Sequence, residues 1–374
     1  MRSILIILIS FILAGCANEY SQNQPIETKD NLVEQHWNNV FTKAFLEVDC
    51  PPVRDPNSLP DGYYKGPMID THIHLQSLPD GEPGQPDYYG YNLGIKRSID
   101  EWICMMDVEG TKQAWGFFPV WEPIIEESID VVNRTMQAYP GRFVPFIMPP
   151  DDDGSLEGYP TVDSIELERM LNIKKGMFKG FGEIGLYGRE DGSSALPPDS
   201  QRLQKIYPII RKHKLTIYFH LGEGQDKALE SVAKANPDIS FVFHGDQLID
   251  CAACSKKPDV VAGMLERNPN IYYGVDELYG NVWLLKPRSS KESFISHFKD
   301  YEPLLNKDLE NWKEFIEKHP DQVIWGTDRG VSEIWDIDPD VALTLNNYTR
   351  GFIGRLNLSV QEKFAYKNAE KLIS

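Results

Sequence analysis

The sequence predicts a closed (β/α)8 barrel, and two observations carry that prediction. Eight short apolar segments between positions 67 and 330 alternate with amphipathic segments of helical period, a pattern typical of parallel strands joined by helices. The ~310 residues from Gly66 onward suit one large barrel, since this fold commonly takes ~250 residues and more where loops are long. A count of eight strands favours a closed barrel over an open, doubly wound sheet.

Each candidate strand is a short apolar run that soon meets a glycine or a polar residue. In chain order the strands are PMIDTHIHL, KQAWGFFPV, RFVPFIMPP, FKGFGEIGLY, LTIYFHLGE, ISFVFHGD, IYYGVDEL and QVIWGTDRG. Helical patterns lie between them, for example SIELERMLNIK, QRLQKIYPIIRKH, KALESVAKAN and DLENWKEFIEKH. The connections after the first and seventh strands are longer than connectors need to be. Long βα loops are therefore expected, and residues 279–306 are a candidate lid.

The chain begins with the pattern of an export signal. Arg2 precedes an apolar run over positions 4–13, which is too short to span a bilayer. The run ends in LAGC, positions 13–16, which resembles the lipobox of bacterial lipoproteins. The resemblance implies that residues 1–15 are a signal peptide and that Cys16 is lipidated; an ordinary secretory signal is the alternative. Ala17 then favours an outer-membrane anchor facing the periplasm or the cell surface.

Composition divides the remaining chain and limits its partners. Residues 16–62 are polar and turn-rich, which indicates a tether and an N-terminal extension, and residues 63–374 form the predicted barrel domain. The chain carries 38 Lys and Arg against 56 Asp and Glu, a net charge of −18. Because an acidic protein is badly placed to hold a polyanion, no nucleic acid partner is expected. The membrane is expected to be contacted through the lipid anchor only, and the oligomeric state is not indicated.

Four cysteines remain when Cys16 carries lipid: Cys50, Cys104, Cys251 and Cys254. An oxidising compartment allows disulfides, and four cysteines permit three pairings among which the sequence does not choose. The last two form a single CxxC, which favours a local disulfide or two free thiols over a structural zinc site.

A histidine pair ends the first candidate strand. Alternation along a strand places Asp70, His72 and His74 of DTHIH on one face. Two imidazoles on one face can hold a metal ion, since histidine is the commonest metal ligand. Two surface histidines are the alternative for so short a pattern.

Further reactive side chains fall at the ends of later strands. Glu183 ends the fourth strand, His220 the fifth, His244 the sixth and Asp328 the eighth. Each taken alone has an ordinary explanation, such as an ion pair or a turn. Barrel enzymes build their sites at the carboxyl ends of their strands, so the joint pattern predicts one site at the barrel mouth.

Imidazoles and carboxylates together suit a divalent metal, most simply Zn, with Mn, Fe or Ni as alternatives. Four histidines and two carboxylates are too many for one catalytic ion and about right for two ions ~3.5–4 Å apart. Glu183 is the natural bridge between them. Metal ions lower the pKa of a bound water, and Asp328 is placed to take its proton.

These residues resemble the amidohydrolase superfamily over most of residues 66–373. DTHIH is similar to its strand-one motif, His220, His244 and Asp328 to its later ligands, and KFAYKNAEKLI to the last helix of its amidohydrolase-related branch. GEIGLY looks like the glutamate-bearing strand of TatD-type hydrolases. The resemblance implies a hydrolase whose metal-activated hydroxide attacks a C–N, lactone or ester bond of a small molecule.

The chain departs from one pattern of that superfamily. Many members bridge two metals with a carbamylated lysine on strand four, where this chain has Glu183; Lys179 is the alternative bridge. Three other functions stay open: phosphoester hydrolysis, metal-dependent decarboxylation, and ligand binding without turnover. In a decarboxylase with one metal, Glu183 would not bind the ion and His244 would be a catalytic acid or base.

Two arginines are candidate contacts for a substrate carboxylate or phosphate. Arg329 directly follows Asp328, and Arg189 follows the fourth strand. A solvated arginine is the alternative for each.

Overall fold

The computed structural model describes most of the barrel domain and little of what precedes it. The described residues are 49–50, 52–75, 97–120, 125–149, 163–188, 195–244, 258–276, 278, 290–330 and 338–374. The predicted signal peptide, Cys16 and most of the predicted tether lie outside them, as do Arg189, Cys251 and Cys254. Among the described residues, no helix is long and apolar enough to cross a membrane.

Eight parallel strands form one sheet that follows the chain order and curls into a nearly closed barrel. The strands are β1 (Ile69–His74), β2 (Gln113–Pro119), β3 (Phe143–Met148), β4 (Gly180–Gly185), β5 (Thr216–His220), β6 (Phe241–His244), β7 (Ile271–Val275) and β8 (Val323–Trp325). Each lies inside one of the eight predicted segments, so the predicted (β/α)8 fold is confirmed.

Helices surround the sheet. They are α1 (Ile99–Glu109), α2 (Ile125–Ala138), α3 (Ser164–Ile173), α4 (Gln201–His213), α5 (Asp226–Ala235), α6 (Asp259–Arg267), α7 (Lys291–His297), α8 (Glu302–Asp308), α9 (Glu314–Lys318), α10 (Pro339–Ile353), α11 (Leu358–Glu362) and α12 (Asn368–Leu372). The described part of the candidate lid forms α7 and α8, which pack on α10 through ring contacts of Phe298 and Tyr301 with Tyr348. Residues 279–289 of that lid lie outside the described residues.

The barrel closes where β1 meets the end of β8. Seven pairs of neighbouring strands are joined by parallel ladders of several residue pairs, whereas this seam has one isolated parallel bridge, between Ile73 and Arg329. The backbone N–H of His74 donates to the carbonyl oxygen of Arg329 at 2.6 Å, and the hydroxyl of Thr71 donates to the carbonyl of Trp325 at 2.7 Å. The seam thus brings the end of β1 beside the loop that follows β8.

Large side chains fill the barrel interior below the mouth. Trp115 stacks on Phe146 with ring centroids 5.0 Å apart, and Phe117 meets Tyr218 edge-on at 5.0 Å. Ala369 of α12 belongs to the same buried cluster. The barrel interior is therefore filled with side chains, as is usual for this fold, and these side chains close the bottom of any site at the mouth.

The described part of the N-terminal extension is fastened to the outside of the barrel. A disulfide joins Cys50 to Cys104 of α1, which identifies the partner of Cys50 that the sequence left open. Arg54 donates to the side-chain oxygen of Asn347 on α10 at 2.5 Å. These contacts link the extension to two outer helices.

A buried ion-pair cluster connects the β1–β8 seam to the outer helix α1. Arg329 makes a bidentate pair with Glu109 of α1 and donates to Asp70 at 3.2 Å. All three side chains are at most 2% exposed. Arg329, a candidate contact for a substrate anion in the sequence, is therefore buried and paired with two carboxylates of the protein itself.

The strand alternation predicted for β1 is interrupted. Pairing with β2 shifts register between Asp70 and Ile73, which is the mark of a β-bulge. The Asp70 carboxylate accepts from the Thr327 hydroxyl at 2.6 Å and from Arg329, outside the cluster of the two histidines. The prediction that Asp70 shares a face with His72 and His74 is therefore wrong, because the extra residue of the bulge turns its side chain.

We predict that Glu109→Ala lowers the free energy of unfolding by about 3–5 kcal/mol, because it leaves a buried guanidinium without its main partner. Chemical denaturation followed by circular dichroism measures the effect. The matched control is Asp107→Ala in the same helix, whose carboxylate pairs with Arg142 at 2.8 Å in a partly exposed position. That substitution should cost at most about 1 kcal/mol, and equal losses in the two variants would contradict the prediction.

Candidate metal centre

Six side chains from five strands converge at the carboxyl end of the barrel. His72 and His74 lie in β1, Glu183 in β4, His220 and His244 end β5 and β6, and Asp328 follows β8. The structure thus brings together the whole set of metal ligands predicted from the sequence. Lys179, the alternative bridge, precedes β4 and is exposed to solvent.

Four of these groups form one donor set, which we call subsite A: His72, His74, Glu183 and Asp328. The Nε2 atoms of His72 and His74 lie 3.1 Å apart. Oε2 of Glu183 is 3.2 Å from Nε2 of His72 and 3.1 Å from Nε2 of His74. Oδ1 of Asp328 lies 3.2 Å and 3.1 Å from the same two nitrogen atoms.

The second donor set, subsite B, contains Glu183, His220 and His244. Here Oε1 of Glu183 lies 2.9 Å from Nδ1 of His220 and 2.7 Å from Nε2 of His244. Glu183 therefore turns one carboxylate oxygen to each subsite, which is the arrangement of a bridging ligand.

The backbone near two of these residues is unusual. Gly182 has φ +131°, and a Cβ atom there would lie 2.3 Å from the carbonyl oxygen of Tyr218, so only glycine lets β4 pass β5 this closely. Asp328 has φ +53°, a left-handed conformation that costs a non-glycine residue free energy and that clusters at functional sites.

Burial and mutual attraction shift the pKa values of several members of the cluster, among them His74, His244 and Glu183. Burial lowers the pKa of His74, but hydrogen bonds to Asp328 and Glu183 outweigh it and raise that pKa to about 10. Burial likewise opposes the charging of His244, while Asp276 and Glu183 raise its pKa well above the usual range. Burial favours the protonated form of Glu183, yet the surrounding imidazoles hold its pKa well below its usual range. Without a metal, these shifts favour the imidazolium forms of His74 and His244 and the carboxylate form of Glu183.

The residues present fit a divalent transition-metal ion. Imidazole nitrogen and carboxylate oxygen are its common protein ligands, and within each subsite the donor atoms lie within 4.8 Å of one another. The side chains are almost fully enclosed, apart from Asp328, which is 34% exposed. Binding of a cation here would have to displace protons from His74 and His244, whose pKa values are raised.

Two neighbours of the cluster were not predicted from the sequence. Asp276, directly after β7, places Oδ2 2.7 Å from Nδ1 of His244 and 3.2 Å from Nδ1 of His72. The acid at the end of IYYGVDEL was the available signal, since it occupies the same strand-end position as the predicted ligands. Met148 places its sulfur 3.1 Å from Nδ1 of His74, and no pattern in the sequence indicates that contact.

Comparison with solved structures finds resemblances at low sequence identity. An amidohydrolase from Burkholderia multivorans with bound Zn is 13% identical, with a TM-score of 0.51; the likeness covers 82% of this chain and 99% of that one. A probable 2-pyrone-4,6-dicarboxylic acid hydrolase from Acinetobacter baumannii, with citric acid bound, is 14% identical with a TM-score of 0.49 and covers 82% and 98%. A 5-carboxyvanillate decarboxylase from Novosphingobium aromaticivorans, in complex with manganese, is 12% identical with a TM-score of 0.44 and covers 84% and 97%. At these identities the likeness concerns the fold alone.

No curated protein matches the chain. A family model described as amidohydrolase does match, over residues 69–374. The match contains all eight strands and all six clustered side chains. The resemblance seen in the sequence is thereby confirmed, and the chain belongs to this amidohydrolase family.

Proposed function

We propose that this protein is a metal-dependent hydrolase that cleaves a C–N, lactone or ester bond of a small molecule. The observation that carries the proposal is the position of Glu183, which directs one oxygen to each of two donor sets. A binuclear site of this kind supplies a Lewis acid and lowers the pKa of water, which are the requirements of hydrolysis near neutral pH. Zn is the first candidate for the ion.

Asp328 is the residue to which we assign proton transfer. Its side chain is 34% exposed, whereas His220, the next most exposed member of the cluster, is 15% exposed. Its carboxylate therefore faces the side from which water and substrate enter. It accepts the proton of the attacking water and returns it to the leaving nitrogen or oxygen atom.

His244 is better suited to hold a ligand than to transfer protons. Its side chain is 2% exposed, and both ring nitrogens are engaged, Nε2 by Glu183 and Nδ1 by Asp276. A proton carrier must exchange with the substrate or with water, and neither nitrogen is free to do so. We therefore assign His244 the role of a metal ligand and assign proton transfer to Asp328.

We also propose that the enzyme acts in the cell envelope, attached through Cys16. The disulfide between Cys50 and Cys104 supports an oxidising compartment, because such bonds are rare in the cytosol. The net charge of −18 supports a small-molecule substrate over a nucleic acid.

We predict that full-length protein in detergent, purified without added metal, carries two transition-metal ions per chain and that Glu183→Ala carries one or none, because the shared ligand is lost. Plasma mass spectrometry measures the content. Glu168→Ala, which removes a carboxylate paired with Lys212 outside the site, is the control and should keep both ions. A single ion in wild-type protein that is retained in Glu183→Ala would contradict the binuclear site, indicate a mononuclear one and favour decarboxylation.

We predict that Asp328→Asn lowers kcat about 10²–10⁴-fold, the usual contribution of a general acid–base group. The assay uses a panel of chromogenic esters, lactones and amides, and the variant is compared with wild-type protein at equal metal content. Asp340→Asn, at the start of α10 and paired with Lys291, is the control. A variant of Asp328 that retained full turnover would contradict the assigned role.

We predict that the stabilisation by Zn grows between pH 6.5 and 10. The folded pKa of metal-free His74 is about 10 and lies above its unfolded value of 6.5, so its contribution to the stability of metal-free protein is full below pH 6.5 and is lost as pH rises through 10. Metal binding needs neutral imidazole and therefore strengthens over the same range. The measurement is the melting temperature with and without Zn, and a constant difference would contradict the prediction.

A further inference from the structure

A single carboxylate oxygen contacts one histidine of each subsite at the ring nitrogen that does not face Glu183. Oδ2 of Asp276 lies 2.7 Å from Nδ1 of His244 and 3.2 Å from Nδ1 of His72. The three side chains are at most 4% exposed, so water does not compete for these hydrogen bonds. The two rings meet edge to face with centroids 4.4 Å apart, which places both Nδ1–H groups within reach of one oxygen.

This contact determines which nitrogen of each ring faces Glu183. A neutral imidazole carries one N–H and one lone pair. When Asp276 accepts the Nδ1–H groups, the lone pairs of His72 and His244 lie on Nε2. Those Nε2 atoms are the ones that lie 3.2 Å and 2.7 Å from Glu183.

The other two histidines of the cluster are held differently. Nδ1 of His74 faces the sulfur of Met148, a weak acceptor, and His220 uses Nδ1 itself to face Glu183. The Tyr218 hydroxyl is 3.5 Å from Nδ1 of His72, which is long for a hydrogen bond. Among the described residues, Asp276 is thus the carboxylate that orients one ligand in each subsite.

We propose that Asp276 is a positioning residue that orients His72 and His244 together and so couples metal binding in subsites A and B. The proposal rests on the proposed binuclear site. Groups that orient metal-binding histidines typically contribute 10–100-fold to affinity. Because one oxygen contacts both rings, its removal affects both subsites, whereas loss of a ligand of one subsite acts first on that one.

The test is a Co²⁺ titration of full-length, metal-free protein in detergent, followed by visible absorption, which needs no substrate. Wild-type protein is expected to bind two equivalents. Asp276→Asn is expected to weaken both dissociation constants by about 10–100-fold and to change the absorption band of each ion. Asp308→Asn, another buried carboxylate, which accepts from the Tyr348 hydroxyl at 2.5 Å, is expected to leave both constants unchanged.

A second variant keeps the proposal testable should Asp276→Asn fail to fold. Asp276→Ala leaves space for a small carboxylate, and added formate is expected to restore part of the Co²⁺ affinity, an effect that a general packing defect would not show. Unchanged constants in Asp276→Asn, or loss of one equivalent with the other intact, would overturn the proposal. Wild-type protein that binds Co²⁺ but hydrolyses nothing would overturn the proposed hydrolase and leave the role of Asp276 standing. Wild-type protein that binds no Co²⁺ would overturn both.

Discussion

The candidate site depends on the closure of the barrel between β1 and β8. His74 lies on one side of this seam and Asp328 on the other, and their side chains meet in subsite A. β8 has only three residues, so the seam is held by the Ile73–Arg329 bridge and the bond from His74 N–H to the Arg329 carbonyl. Any widening there would separate ligands that come from opposite ends of the sheet.

Arg329 stabilises this seam through both its backbone and its side chain. Its backbone pairs with β1, while its guanidinium holds Glu109 and Asp70 behind the strands. Both carboxylates are buried, and buried charges are tolerated only when they are paired. Desolvation raises the pKa of Asp70 even though the guanidinium opposes that shift. The outer helix α1, the bulge in β1 and the loop that carries Asp328 are thus connected through one side chain.

Most of the fold and the convergence of the six candidate ligands could be predicted because both follow from local patterns. Apolar runs locate the strands, and parallel strands present their carboxyl ends at one edge, so Glu183 and Asp328 could be assigned to one site although they are far apart in sequence. Asp276 was missed because its partners, His72 and His244, lie on other strands and become visible only in three dimensions. Asp70 was misplaced because period-two alternation does not reveal a bulge. Arg329 was placed at the mouth because it adjoins Asp328, but the left-handed backbone of Asp328 turns the next residue away.

Were the chain anchored at Cys16, as proposed, the disulfide from Cys50 to α1 would limit how far the barrel could move from the membrane. It fixes one end of the N-terminal segment to the outer helix layer. An anchor at Cys16 would leave 33 residues between the two cysteines (50 − 16 − 1 = 33), a segment that spans at most about 120 Å when fully extended. The segment would then join the barrel domain on its α1 side. The enzyme would sample a shell of that radius around its anchor, and substrates would have to diffuse into that layer to be processed.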